Sequence, residues 1–473
     1  MNSYKYHIAV ACLVLPLLFS GCEKVLQQEP QSSNTVKNAW KNEVDANAEL
    51  AAAYSLFRSP LTTLYAHYAY GEFRALDLKN IAGSNLERNV LNDSYYAVDY
   101  WRDWSKFYKA IAQCNLILER IDEIPESSFT DLPRKHYIAE TRFLRAMVYF
   151  YITRVWGEVP LNTVGINRDP LKRSSMEEVL EFALTDLDKS YADLPWTYAS
   201  ATQRAVRATK SSVLALKAHI YMWNKEEAKA EEACKLLMDN EALSKLQLLP
   251  FSRMAEVIKG KSLEGIFEVN FNGLEAAKYS TLASSFVRPP EVSAKPGESS
   301  TVLAAVANEL FPIGSPDLRG QWLANRSNSD DIVLNKFNIK APDFTPTLPK
   351  FEANISLFRY ADIILLRAEA LVKLNRGAEA IPLLNRVRTR ANATTYNAVT
   401  ETDLALAVLQ ERRKELIGEG HRWYDLVRNN KVPNYNIYIT DTDVGMGAVY
   451  WPVSAAAFQN NPLMLQSVFW AAK

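Results

Sequence analysis

The chain has 473 residues, with 54 Lys and Arg against 54 Asp and Glu, and so carries no formal net charge. That balance removes the drive for a nucleic-acid or anionic-membrane role carried by the whole molecule. An apolar content of 48 % with only 16 glycines excludes a disordered chain and a glycine-rich fibre, and most of the 23 Tyr, 19 Phe and 10 Trp are expected in a core.

Residues 1–21 read as a lipoprotein signal peptide. Lys5 supplies the positive start, Ile8 to Phe19 the apolar run, and Ser20-Gly21 the small residues directly before Cys22. A run of about 12 apolar residues is too short for a bilayer, which takes about 20. Cleavage there leaves Cys22 as the acylated first residue, and several acyl chains, palmitate among them, anchor a protein stably where one would not. Residues 22–40, with Gln27, Gln28, Pro30 and Ser32-Ser33, form a polar tether. The remaining cysteines, Cys114 and Cys234, sit in apolar helical patterns and are expected as inert buried thiols. With no CxxC in the chain, neither structural zinc nor another cofactor is expected.

Residues 41–242 form the first part of a helical scaffold. The periodicity predicts helices over Asn42–Phe57, from near Tyr96 to Pro125 and over Leu132–Val155, the last apolar on two faces. A capping box at Ser174 and Glu177 opens the next helix, followed by Ala208–Trp223 and Glu226–Met238. Residues 243–350 are loop-rich, punctuated by Pro289-Pro290, Pro296, Pro312, Pro316, Pro342, Pro346 and Pro349, with one alternating strand at Gly265–Phe271. The scaffold resumes over 351–430, with helices predicted at Ile355–Leu374, Ala378–Ala391 and Leu404–Val427, and residues 431–473 are loops packing on it. Paired helices with short loops point to a mainly α, tetratricopeptide-like scaffold carrying a partly β insertion.

Several segments then carry a resemblance, in order along the chain: WSKFYKAIAQCN at 104–115, ETRFLRAMVYF at 140–150, WGEVPL at 156–161, RATKSSVLALKAHIY at 207–221, FRYADIILLRAEA at 358–370, LNRVR at 384–388 and ERRKELIGEGHRWYDLVR at 411–428, with Trp451-Pro-Val and Asn461-Pro462 near the end. The chain resembles the SusD/RagB family of surface nutrient-binding lipoproteins. The resemblance implies a non-enzymatic lid over a SusC-like TonB-dependent transporter in the outer membrane of Bacteroidota. It implies capture of an oligosaccharide at the cell surface, or of a peptide in some branches, and membrane attachment through Cys22.

The residues of these motifs have structural readings of their own. Glu140 with Arg142 and Arg145, Arg367 with Glu369, and Glu411 with Arg412, Arg413 and Glu415 are expected to cross-link helices. A glycosidase would instead need two carboxylates about 5 to 9.5 Å apart flanking one substrate. Gly418 and Gly420 are expected where the Trp423 ring or a backbone approaches closely, and His421 as a packed or capping residue.

Sugar binding asks for flat rings among amides and charged groups in irregular segments. Two segments qualify, 65–101 and 279–344. The stacking candidates are Trp101 and Trp322, with Arg74, Asn85 and Arg319 as hydroxyl or carboxylate partners and Tyr70 and Tyr279 beside them. Arg288, Arg319 and Arg326 leave an acidic glycan or a peptide carboxylate open, and a scaffold that binds only protein is the third alternative. Both segments are expected to converge on one face with their rings open to water.

Overall fold

The computed structural model describes residues 40–80, 99–271, 286–293, 300–347, 349–397, 400–459 and 461–472. The first long helix, α1 (Glu43–Thr62), starts at Asn42, whose side chain accepts from the Val44 and Asp45 amides while Asp45 reaches back to the Asn42 amide. This reciprocal box satisfies donors that a helix start leaves unpaired. Its buried stripe of Ala46, Leu50, Ala53 and Phe57 lies against α3 (Ser105–Arg120) and α4 (Arg134–Trp156), with the short α2 (Ala66–Gly71) between α1 and α3 in sequence. In α4 every residue from Phe143 to Trp156 is buried, the consequence of apolar side chains on more than one face. The helices α1, α3 and α5 (Met176–Tyr191) all pack on it.

Ser175, not Ser174, caps α5: its side chain accepts from the Glu178 amide at 3.1 Å, while Ser174 is held one step earlier in a bridge to Val159. Thr209 and Ser212 box the start of α6 (Lys210–Trp223), which pairs with α7 (Glu227–Asp239). α7 packs on α8 (Tyr360–Lys373), and α8 on α9 (Gly377–Arg390) and α10 (Glu401–Glu415). The result is a mainly α, tetratricopeptide-like array of helical pairs with a small loop-rich β insertion.

Three predicted helices differ from the observed elements, and the one predicted from near Tyr96 to Pro125 is split into a short turn of helix at Asp99–Arg102 and α3. Residues Ile355–Arg359 form a strand, β6, paired antiparallel with β2 (Gly265–Val269), so that Val269 faces Ile355 and Phe267 faces Phe358. A short apolar run fits either period, and the non-local partner decides. The predicted helix Leu404–Val427 is two helices, because the chain breaks after Glu415 and resumes as α11 (Arg422–Arg428) with His421 at its N-cap. Gly418 and Gly420 take φ of +78° and +80° in the break. A Cβ on Gly420 would stand 2.3 Å from His67 Nε2, one on Gly418 2.7 Å from Leu334 and Phe337, and one on Gly71 2.2 Å from the Gly420 carbonyl oxygen. Close approach is thus the reason for both glycines, but by these groups rather than by Trp423.

Among the described residues two further ribbons form, one between distant segments and one local. β1 (Leu78–Asn80) pairs antiparallel with β3 (Ser300–Val302), and β4 (Leu323–Ala324) with β5 (Val333–Leu334). The first of these brings the early irregular segment and the insertion together.

Candidate functional site

Trp101 is 3 % exposed and its ring meets Trp451 edge-on at 6.0 Å. The Tyr70 hydroxyl donates to the Trp101 carbonyl at 2.9 Å, and the Tyr70 ring packs at 5.5 Å from both Trp156 and Trp451. Arg74 is fully buried and donates to the Val449 and Ala448 carbonyls at 2.8 and 2.7 Å, with its guanidinium 4.4 Å from the Trp423 ring. Trp322 is 7 % exposed and stacks on Phe251 at 5.8 Å. Arg319 has no exposed surface: it forks onto Asp317 and reaches Glu411 at 2.7 Å and Glu415 at 3.2 Å. Asn85 and Tyr279 lie outside the described residues.

The expectation of rings open to water at Trp101 and Trp322 is therefore corrected. The two segments are joined through β1 and β3, but these large side chains are spent on packing and on buried charge, because hiding a ring or pairing a guanidinium outweighs leaving it on a loop surface. The same holds for the other arginines of the insertion. Arg288 donates to Asp331 at 2.9 Å and to the Ser300 carbonyl, and Arg326 donates to the Phe311 carbonyl and Asn308.

The carboxylates of the 411–428 motif are committed in the same way. Arg359 binds Glu264, Glu415 and Glu419 at 2.7–2.8 Å. Arg412 binds Asp425 and Asp362, and Arg413 binds Asp77 through Nε and Nη2. Burial alone would raise the Glu419 carboxyl, but the Arg359 and Lys336 charges hold it down at about 2. In contrast, burial and then the Asp77 charge push the Glu72 carboxyl up to about 8. Burial pushes His67 down to about 3, so its ring is neutral, accepting from Tyr151 at Nδ1 and donating from Nε2 to the Glu419 carbonyl.

Two open clefts lie on residues that the sequence reading did not single out. One, of about 750 Å³, runs along the N-terminal end of α3, lined by Asp103, Trp104, Tyr108, Lys109, Asn162 and Ile166. Asp103 accepts from the Ser105 amide and hydroxyl, and the Tyr108 hydroxyl donates to the Pro160 carbonyl at 2.6 Å. The other, of about 430 Å³, lies between α1 and the exit of β2, where Tyr54, Gln203, Arg207 and Asn270 converge. Its α1 wall is more than 140 residues in sequence from the other two, which are themselves 60 residues apart, so local periodicity carries no signal for it.

Comparison with known proteins adds the kinship. Residues 313–470 match a family model described as the SusD family, and residues 24–222 match one described as starch-binding associating with outer membrane. A SusD-like protein of Formosa agariphila is 28 % identical, over 99 % of this chain and all of that one. The starch-binding protein SusD of Bacteroides thetaiotaomicron is 24 % identical over 76 % of each chain. The crystal structure of a SusD homolog from Bacteroides thetaiotaomicron superimposes with a TM-score of 0.81 at 29 % identity, covering 91 % of this chain and 99 % of that one. With matching models at both ends and matching structures across the middle, the chain belongs to the SusD/RagB family of Bacteroidota outer-membrane nutrient-binding proteins, non-catalytic surface binders that pair with SusC-like transporters.

Proposed function

We propose that this protein captures an oligosaccharide at the cell surface and passes it, chemically unchanged, to a SusC-like TonB-dependent transporter, while Cys22 holds it to the outer membrane through acyl chains. The carrying observation is the run of likeness to SusD proteins along nearly the whole chain, one of whose matched models is described as starch-binding. Acylation at Cys22 is supported by the small residues before it and the polar tether after it. The groove at the start of α3 supports a saccharide-sized ligand, since it borders the segment that leads into this helix and mixes Tyr108 and the Trp104 edge with Asp103, Lys109 and Asn162.

Calorimetry of the protein without its leader, against starch-derived and other oligosaccharides and against short peptides, tests the cargo. Saccharide binding weakened by Lys109→Ala is the expected result. Binding of peptides alone, or release of shorter sugars during incubation, overturns the reading. Co-purification of a large β-barrel transporter from detergent-solubilised outer membranes tests the partnership.

A further inference from the structure

The cleft between α1 and the exit of β2 shares no lining residue with the groove at the start of α3. Asn47, Ala51, Tyr54, Ser55 and Arg58 form its α1 wall, spaced to fall on one side of the helix. The opposite wall is the turn through Gln203 and Arg207 and the end of β2 at Val269 and Asn270.

Its polar groups stand in two tiers. The lower tier is saturated: the Tyr54 hydroxyl donates to Glu140 at 2.7 Å and accepts from the Ala208 amide at 3.2 Å, and Arg207 donates from Nε and Nη2 to both Glu140 oxygens. The upper tier is not. Asn270 Oδ1 is buried and lacks a hydrogen-bond partner. Among the described residues neither Arg207 Nη1 nor the side-chain amides of Asn47 and Gln203 make a hydrogen bond. A buried acceptor without a partner is costly unless a bound molecule supplies the donor.

Little net charge is on offer to an ion in the cleft: Arg207 is paired with Glu140 beneath, Arg58 donates to the Asn270 carbonyl, and burial pushes the Glu268 carboxyl in the wall up to about 7. Amides both donate and accept, as hydroxyl groups do, and three of them converge here beside the half-buried Tyr54 ring, 6.4 Å from that of Phe267. The volume of about 430 Å³ falls within the range of small-molecule sites. We propose that this cleft is a second binding site, for a neutral polyhydroxylated ring such as one sugar unit. The inference stands on the chemistry of the cleft and does not need the delivery role.

Titration of ¹⁵N-labelled protein with the methyl glycosides of glucose, galactose, mannose and xylose tests it, read at the side-chain amides of Asn47, Gln203 and Asn270. At least one glycoside is expected to shift all three saturably. Gln203→Ala should weaken that binding tenfold or more while Lys109→Ala, in the other groove, leaves it unchanged. Gln203 sits on a half-buried turn outside the lower tier, and an unchanged urea midpoint for its variant, or the same loss in Asn47→Ala, keeps the result clear of misfolding. Silence of the three amides toward every glycoside overturns the proposal, as does a response to sodium acetate but to no glycoside, which would make this a carboxylate site at Arg207. If Lys109→Ala abolishes oligosaccharide binding while these amides stay silent, only the second site falls and the proposed function stands.

Discussion

Lys336 Nζ lies 4.5 Å from the centroid of the Trp322 ring and donates from there to the Glu415 and Ile417 carbonyls and to the Glu419 carboxylate. The indole therefore closes a buried ammonium off from water, the opposite of a platform for a ligand. Removing either partner leaves charge stranded or a cavity open. Lys336→Ala should cost about 3–5 kcal/mol by leaving Glu419 underpaired, and Trp322→Ala a similar amount. The two losses should add to less than their sum, because the side chains share one contact. Urea unfolding of the single and double variants measures this. A Trp322→Ala protein of unchanged stability that no longer binds saccharide would restore the platform reading.

Arg74 pins the C-terminal segment to the scaffold through the Ala448 and Val449 carbonyls and its stacking over Trp423. Arg74→Met keeps much of the packing volume but removes both charge-assisted bonds, each worth about 1.5–3 kcal/mol. Hydrogen exchange should rise in the segment around Val449 and Trp451 before it rises in α4. Uniform protection across both would show that the segment is held by other contacts.

Gly420 combines a positive φ with a ring at its Cα: a methyl there meets His67 Nε2 at 2.3 Å. Gly420→Ala should destabilise by more than the roughly 1 kcal/mol of an ordinary glycine replacement, since strain and a displaced buried histidine add. Gly445, around which an added Cβ meets nothing, is the control, and Gly445→Ala should lie within about 0.5 kcal/mol of the parent. Thermal unfolding of the pair measures the contrast.

The Glu72 carboxyl is raised to about 8 by burial and by Asp77, while its Oε1 accepts from the Gly420 amide at 2.8 Å. With the folded value above the unfolded one of 4.5, the folded state holds the extra proton between them. The contribution of Glu72 is full below about pH 4.5 and is lost as pH rises through about 8. Glu72→Gln keeps the acceptor and removes the titration. Its stability relative to the parent should climb from pH 5 to pH 9 and level off there. A difference that stays flat over this range would mean that the carboxyl ionises normally in the fold.

Much of the scaffold was legible because helices declare themselves locally. The apolar spacing in α4, α6 and α7 sets both their extent and their buried faces. The ion-pair reading of Glu411, Arg412, Arg413 and Glu415 agrees with the bonds observed, since paired charges embedded in packing helices have few other uses. Misreadings fall where a distant partner decides: β6 is a strand because β2 arrives beside it, and α10 and α11 separate because Gly71 and His67 press on Gly420.

Composition and the ordered motifs were enough to set the class of molecule and its family, because charge balance, hydrophobic period and motif order are properties of the chain itself. Which aromatic rings are hidden was decided only in three dimensions. Trp101 and Trp322 stand among polar neighbours in sequence, yet Trp451 and Phe251, brought in from far along the chain, cover them. The cleft at Asn270 arises the same way, from walls that meet only after the helices pack, and burial is a property of such meetings rather than of any local stretch of sequence.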